Sequence, residues 1–124
     1  MTDVIPPKAP MATRTLELRA MDDSNSASPV TVELYEPQNK GGTMGYVCYY
    51  RILGIGGEKL KRGAGTDAIQ ALMLTLVRIG ADLYASEESK AGRLSLFQDQ
   101  NLGFPVFFRD IFPAAATDVK ELFL

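Results

Sequence analysis

The stretch Arg51–Leu83, "RILGIGGEKLKRGAGTDAIQALMLTLVRIGADL", decides how the rest of the chain is read. Its first half holds glycines at 54, 56, 57, 63 and 65, with Lys59, Lys61 and Arg62 among them. Its second half has helical periodicity. Ile69, Leu72, Met73, Leu76, Ile79 and Leu83 recur at spacings of three and four. Glycines that run into a helix make either a phosphate-binding loop or a turn and a cap. A P-loop requires G-x-x-x-x-G-K-[ST], so that backbone N–H groups wrap a phosphate and the lysine reaches it. Here the spacing from Gly57 to Gly63 is one residue too long, and Ala64 stands where the lysine belongs. The dinucleotide fingerprint G-x-G-x-x-G also fails after Gly54-Ile55-Gly56.

A structural reading accounts for each residue instead. Gly56-Gly57 makes a hairpin turn, and Gly63 and Gly65 let the chain reverse into the helix. Thr66 or Asp67 caps the helix by accepting a hydrogen bond from a free N–H. An acid there suits the positive end of the helix dipole and repels a phosphate. ATP, GTP and NAD are therefore not expected at Gly54–Thr66. The functional alternative is an anion held by Lys61 and Arg62 at the helix start. Gln70, just inside the helix, is expected to satisfy a neighbouring loop backbone.

Upstream lie strands. In "RTLELRAM" Leu16, Leu18 and Ala20 alternate with Thr15, Glu17 and Arg19. "DDSNSASP" is a turn-rich connection to "VTVELYE", where Val30, Val32 and Leu34 face inward and Thr31, Glu33 and Tyr35 outward. "PQNKGGT" reads as a loop. "MGYVCYYRILGI" is apolar on both faces, Cys48, Tyr50 and Ile52 against Val47, Tyr49, Arg51 and Leu53, and reads as a central strand. "EKLKR" reads as a short return strand, and "RLSLFQ" as a fifth strand with Leu94 and Leu96 inward. "TDVKELFL" has the pattern for one or two helical turns. The expected fold is α+β: an antiparallel meander of four or five strands with one long helix, Asp67–Tyr84, packed on one face. Ile69, Leu72, Met73, Leu76 and Leu83 are expected to meet Leu16, Leu18, Val32 and Leu34. Residues 1–12 form a flexible Pro-rich tail, and residues 13–124 a single domain.

Composition narrows the function. The 124-residue chain has 46% apolar and 23% charged residues, enough for a core and for solubility. A net charge of −2, from 13 basic and 15 acidic residues, gives no footprint for nucleic acid or an anionic membrane. There is no histidine, which removes Ser-His-Asp and Cys-His sites and imidazole-bound zinc. Cys48 is the single cysteine and lies on the inferred core face, where it reads as a buried hydrophobe. No metal site, cofactor or catalytic residue is expected. No apolar run approaches the roughly 20 residues of a membrane span, and the N-terminus lacks a secretory pattern, so a cytoplasmic location is expected. The acidic pairs Asp22-Asp23 and Glu87-Glu88 sit in polar, turn-like sequence and read as solvated loops.

The segments "RTLELR", "GYVCYYRILGIG", "GAGTDAIQALMLTLVRIGADL" and "NLGFP" together resemble a family of short bacterial proteins carrying a domain of unknown function. Its marks are an aromatic-x-Cys-x-Tyr-x-Ile strand and a G-x-D-x-x-Q-A-L helix, here Tyr46–Ile52 and Gly65–Leu72. The resemblance implies a bacterial source and carries no activity. In size and architecture the chain also resembles small sheet-plus-helix immunity proteins that block toxins, a likeness of fold alone.

One helix can cover one side of the sheet. Parity then leaves Glu17, Arg19, Glu33, Tyr35, Tyr49 and Arg51 on the other side, unless the Phe-rich segment from Phe104 to Leu124 folds over it. Tyrosine and arginine are enriched at interface hot spots. The sequence therefore points to a non-enzymatic protein-binding module, immunity-type or regulatory, whose open sheet face carries Arg19, Tyr35, Tyr49 and Arg51. Its partner is a second protein or a second copy of the chain. Tyr35 and Tyr49 are expected to be partly accessible in the isolated chain. The alternative is a small-molecule-binding protein or an enzyme using carboxylates.

Overall fold

The computed structural model describes residues 9–22 and 24–105. The expectations for the first eight residues of the tail, for Asp23, for the segment after Pro105 and for the turns of "TDVKELFL" lie outside the described residues. β1 (Ala12–Arg19), β2 (Ala27–Leu34), β3 (Gln38–Gly41), β4 (Gly45–Leu53), β5 (Lys61–Gly65) and β6 (Leu94–Ser95) form one sheet, with α1 (Ala68–Tyr84) and α2 (Glu87–Lys90) between β5 and β6. Every pairing is antiparallel.

β4 is the central strand, as its two apolar faces require. Tyr50 pairs with Leu34 of β2 and with Lys61 of β5, so those strands lie on opposite edges of β4. Val47 pairs likewise with Gln38 of β3 and Ala64 of β5. β2 and β3 therefore share one edge of β4. The spatial order is the expected meander, to which β6 returns beside β1 after the helix. β3 occupies the stretch expected to be a loop. Its sequence, QNKG, has no apolar alternation to announce it, and its side chains are mostly exposed. Ala12 belongs to β1, and the Met11 N–H donates to Leu34 O at 2.7 Å, so the sheet begins inside the expected tail.

The helix starts and stops where the sequence places it. Asp67 is the N-cap, its carboxylate accepting from the Gln70 N–H at 2.7 Å. Gln70 Oε1 accepts in turn from the Thr66 N–H at 2.7 Å, as expected of it. The buried face is the expected one in part. Ala71, Thr75, Ile79, Gly80 and Leu83 are buried, with Leu72 and Leu76 half-buried, while Ile69 and Met73 are 70% and 49% exposed. The cause lies in β5. Its sequence is Lys61–Gly65, not the charged run from Glu58, and Gly63 and Gly65 stand inside the strand rather than in a reversal. A Cβ on Gly63 would meet Thr75 Oγ1 and stand 3.0 Å from Thr75 Cα. One on Gly65 would meet the Ala71 N and stand 2.9 Å from Ala71 Cα. The helix thus lies directly on the glycines of β5, and its small residues face inward there. Leu16, Val30, Val32, Cys48, Tyr50 and Leu102 complete the core beneath it.

Candidate functional site

Register confirms the parity of the far face: Glu33 stands opposite Arg51, and Tyr49 opposite Arg62. The expected accessibility does not hold. Tyr35 and Tyr49 are 4% and 7% exposed and form a second small core with Val47, against which Leu60 packs. Leu60 reaches them from the loop between β4 and β5, and the Lys40 ammonium lies 5.8 Å from the Tyr49 ring centroid. The Tyr35 hydroxyl donates to Glu33 Oε1 at 3.1 Å, and its pKa is raised, by burial first and by that carboxylate second. Arg51 is half-buried, and its Nε has no partner among the described residues. Arg19 does not join this group. It pairs with Ala27, at the opposite end of β2 from Leu34, roughly 23 Å away at about 3.3 Å per residue.

Lys61 and Arg62 are adjacent on a strand and so point to opposite faces. Lys61 pairs with Asp82 at 3.2 Å, some 15 residues beyond the cap and about 22 Å along the helix. Arg62 lies on the far face beside Tyr49. The two do not converge at the helix start, where the Asp67 carboxylate already accepts from the Gln70 N–H.

What Lys61 does help form is a cleft of about 770 Å³ near the helix C-terminus, lined among others by Tyr50, Ile52, Ile55, Lys61, Asp82 and Glu88. The Tyr50 hydroxyl donates to Asp82 Oδ2 at 2.5 Å on its floor. Burial, and then that hydrogen bond, push the Tyr50 pKa well above the tyrosine range. Asp82 and Arg78 lie four residues apart on α1 and flank its buried row, and the Arg78 Nη1 donates to Arg62 O at 2.9 Å. Cys48 is buried as expected. Its thiol donates to Tyr35 O, and burial raises its pKa, so it is neither exposed nor activated.

A feature the sequence did not single out lies at the other end of the sheet. After β6 the chain reverses over two residues, with the Leu96 N–H donating to Asp99 O at 2.8 Å and the Asp99 N–H to Leu96 O at 2.9 Å. The two residues between, Phe97 and Gln98, have φ of 49° and 68°. That backbone favours Asn-Gly, and a bulky residue there is an outlier. Phe97 is 91% exposed. Beside it, Glu17, Arg19, Arg93, Gln98 and Gln100 border a polar cleft of about 520 Å³. The Arg19 N–H donates to Arg93 O at 2.8 Å, and the Arg93 Nε donates back to Arg19 O at 2.8 Å. No glycine or asparagine marked this turn in the sequence, so only the backbone angles expose it.

A model of a domain of unknown function, DUF6968, matches residues 12–106. The chain belongs to that family. The matched span runs from the first residue of β1 to just past Pro105 and takes in every strand and helix of the described residues. No curated protein matches the chain, and no solved structure does. Among the described residues no helix is long and apolar enough to cross a membrane.

Proposed function

We propose that this member of the family is a non-enzymatic protein-binding module of the bacterial cytoplasm, regulatory or immunity-type, and that it engages its partner through the end of the sheet where β6 meets β1. The observation that carries this is Phe97, almost fully exposed at a position where its own backbone is unfavourable. An L-residue held in the left-handed region costs about 1–2 kcal/mol, and strain of this kind gathers at functional positions. No packing contact compensates here, because the ring stands in solvent. Gln98, its neighbour in the turn, borders the cleft that Arg19 and Arg93 also line, and an exposed aromatic residue next to a surface that carries arginines has the composition of an interface hot spot. Arg19 thus keeps the role that the sequence suggested, but in the company of Phe97 rather than of Tyr35, Tyr49 and Arg51.

The test is a photo-crosslinking amino acid placed at position 97, with one at Ile69, exposed near the start of α1, as control, in cells of the source organism. A discrete heavier adduct at 97 and none at 69 is the expected result. No adduct at 97, or the same adducts at both positions, overturns the reading.

A second reading rests on the Tyr50–Asp82–Lys61 cleft, whose volume suits a small molecule. A ligand that raises the melting temperature of the wild type and not of Asp82→Asn supports it. A broad metabolite screen with no such ligand removes it.

A further inference from the structure

We propose that the groove between the middle of α1 and the adjoining ends of β1 and β2 is the seat of a phenylalanine from the chain's own C-terminal segment, Phe107. Residues 106–124 lie outside the described residues, and their sequence opens with Val106, Phe107 and Phe108. The described residues show where the chain stands when it reaches that segment. The Leu102 N–H donates to the hydroxyl of Tyr84, the last residue of α1, at 2.8 Å. By Pro105 the chain lies on Gly80: a Cβ there would stand 2.8 Å from Pro105 O and 3.1 Å from Phe104 Cβ. From Leu102 to Pro105 the chain therefore runs along α1 towards the helix start. Arg14 fixes this course. Its Nη1 donates to Leu102 O at 3.1 Å and to Gly103 O at 2.9 Å, and its guanidinium carbon lies 4.8 Å from the Phe104 ring centroid.

The next residue in the helix row of Tyr84 and Gly80 is Leu76. It is half-buried, and with Val32, Leu34, Phe104 and Pro105 it lines a groove of about 210 Å³. Pro105, the last described residue, is thus itself part of the groove wall. Beyond Leu76 in the same direction Met73 is 49% exposed, so the apolar strip continues past the groove. The wall is apolar apart from Thr13 and Arg14, and the Arg14 guanidinium is already committed to two carbonyls and a ring. Such a groove favours a hydrocarbon occupant over a polar one. An apolar cavity of about 150 Å³ takes a benzene, so this volume suits one phenyl ring.

Distance selects the residue. From Gly80 to Leu76 is about 6 Å along the helix, at about 1.5 Å per residue. A chain that continues extended past Pro105 advances about 3.3 Å per residue. Phe107, the second residue on, comes level with Leu76, whereas Val106 falls short and Phe108 points to the opposite side. Tethering favours this ring over one from another molecule. A group held so close to a fixed point has an effective concentration of millimolar order or above, which a second copy or a foreign partner at micromolar concentration must outcompete. The groove lies on the helix side of the sheet. The Phe-rich segment is thereby assigned away from Tyr35 and Tyr49, whose face the sequence left open to it.

Methyl–aromatic nuclear Overhauser effects in the full chain test the seat. The chain is deuterated except for labelled leucine and valine methyls and protonated phenylalanine rings, and the wild type is compared with Phe107→Leu. Cross-peaks are expected from the Phe107 ring to methyls of Leu76 and Leu34. They should be lost in Phe107→Leu while those from Phe104 persist, which also shows that the variant is folded. Cross-peaks from Phe107 to Leu60 or Val47 would put the segment on the far face and overturn the seat. So would the absence of any cross-peak from Phe107 to either groove leucine. A sample mixed from chains carrying only the methyls and chains carrying only the rings should show none of these cross-peaks. Their appearance there would mean that a second copy supplies the ring, and the intramolecular seat would fall.

Discussion

β5 and the turn after β6 impose the same demand, small residues or none, and answer it in opposite ways. In β5 the demand comes from a neighbour: α1 lies so close that Gly63 and Gly65 have no room for a Cβ. The sequence meets it. In the turn the demand comes from the backbone itself, which at two successive residues has positive φ. The sequence does not meet it, and puts a phenylalanine and a glutamine there. Where local and global preferences agree, a residue needs no explanation beyond the fold. Where they conflict without compensation in packing, function is the natural place to look. Glycines that invited a phosphate-loop reading are thus packing residues, and the candidate for recognition is a stretch with no motif at all.

The comparison depends first on where α1 lies, and the largest expected effect tests that. Leu83 is fully buried in the core. Leu83→Ala should destabilise by about 2–5 kcal/mol, from lost burial and the cavity left behind. Ile69→Ala should cost less than about 0.5 kcal/mol, the scale of surface changes. Chemical denaturation of the two variants decides it. Equal losses would mean that the helix is rotated from the orientation described.

The next effect concerns β5 itself. In Gly63→Ala the new methyl meets Thr75, including backbone that cannot rotate away. The strand and helix must separate, at about 1–3 kcal/mol, the usual range for overpacking. Relief by Thr75→Ala, which removes Oγ1, should be partial, since Thr75 Cα remains. A neutral Gly63→Ala would show that the glycine is not enforced by packing and would return the loop to consideration as a ligand site.

These two tests mark the line between what the sequence disclosed and what it concealed. Alternation placed Leu16, Val30, Val32 and Leu34 on the core face correctly, because a half-buried strand has a simple period. Asp67 and Gln70 announced the helix start through the chemistry of the free N–H groups. Apolar periodicity finds Leu72, Leu76, Ile79 and Leu83 on the packed side of α1 and fails at Ile69 and Met73. Ile69 and Met73 are large and exposed, whereas Ala71, Thr75 and Gly80 are small and buried, and close approach selects for smallness rather than hydrophobicity. β5 was misplaced for the same reason, since a strand of glycine and alanine carries no strand propensity. The far-face tyrosines were assigned to the right side of the sheet, but parity says nothing of what packs over that side, and Leu60 does so from a loop. The Tyr50–Asp82–Lys61 cleft and the Phe97 turn arise from residues far apart in sequence or from backbone angles, and neither leaves a local pattern.

The smallest expected change in stability is also the one that bears most on function, and its sign is unusual. Replacing Phe97-Gln98 by Asn-Gly gives the turn the residues its backbone prefers. Asparagine tolerates the left-handed region better than phenylalanine, and glycine enters it freely. Phe97 is so exposed that removing its ring forfeits almost no burial. The double variant should therefore be more stable, by about 1–2 kcal/mol, which raises the melting temperature by roughly 4–8 °C per kcal/mol in a domain of this size. Most substitutions destabilise, so a gain from two changes at one turn is a demanding expectation. A melting temperature that falls would show that Phe97 contributes to the fold, and the strain argument would fail with it. If the temperature rises, the adduct formed from position 97 becomes the deciding measurement. A crosslinker placed at Gln100, on the rim of the same cleft, should lose its adduct in the Asn-Gly background if the phenylalanine anchors the partner. Persistence of that adduct would assign binding to Arg19 and Arg93 alone and leave the strained phenylalanine without a role.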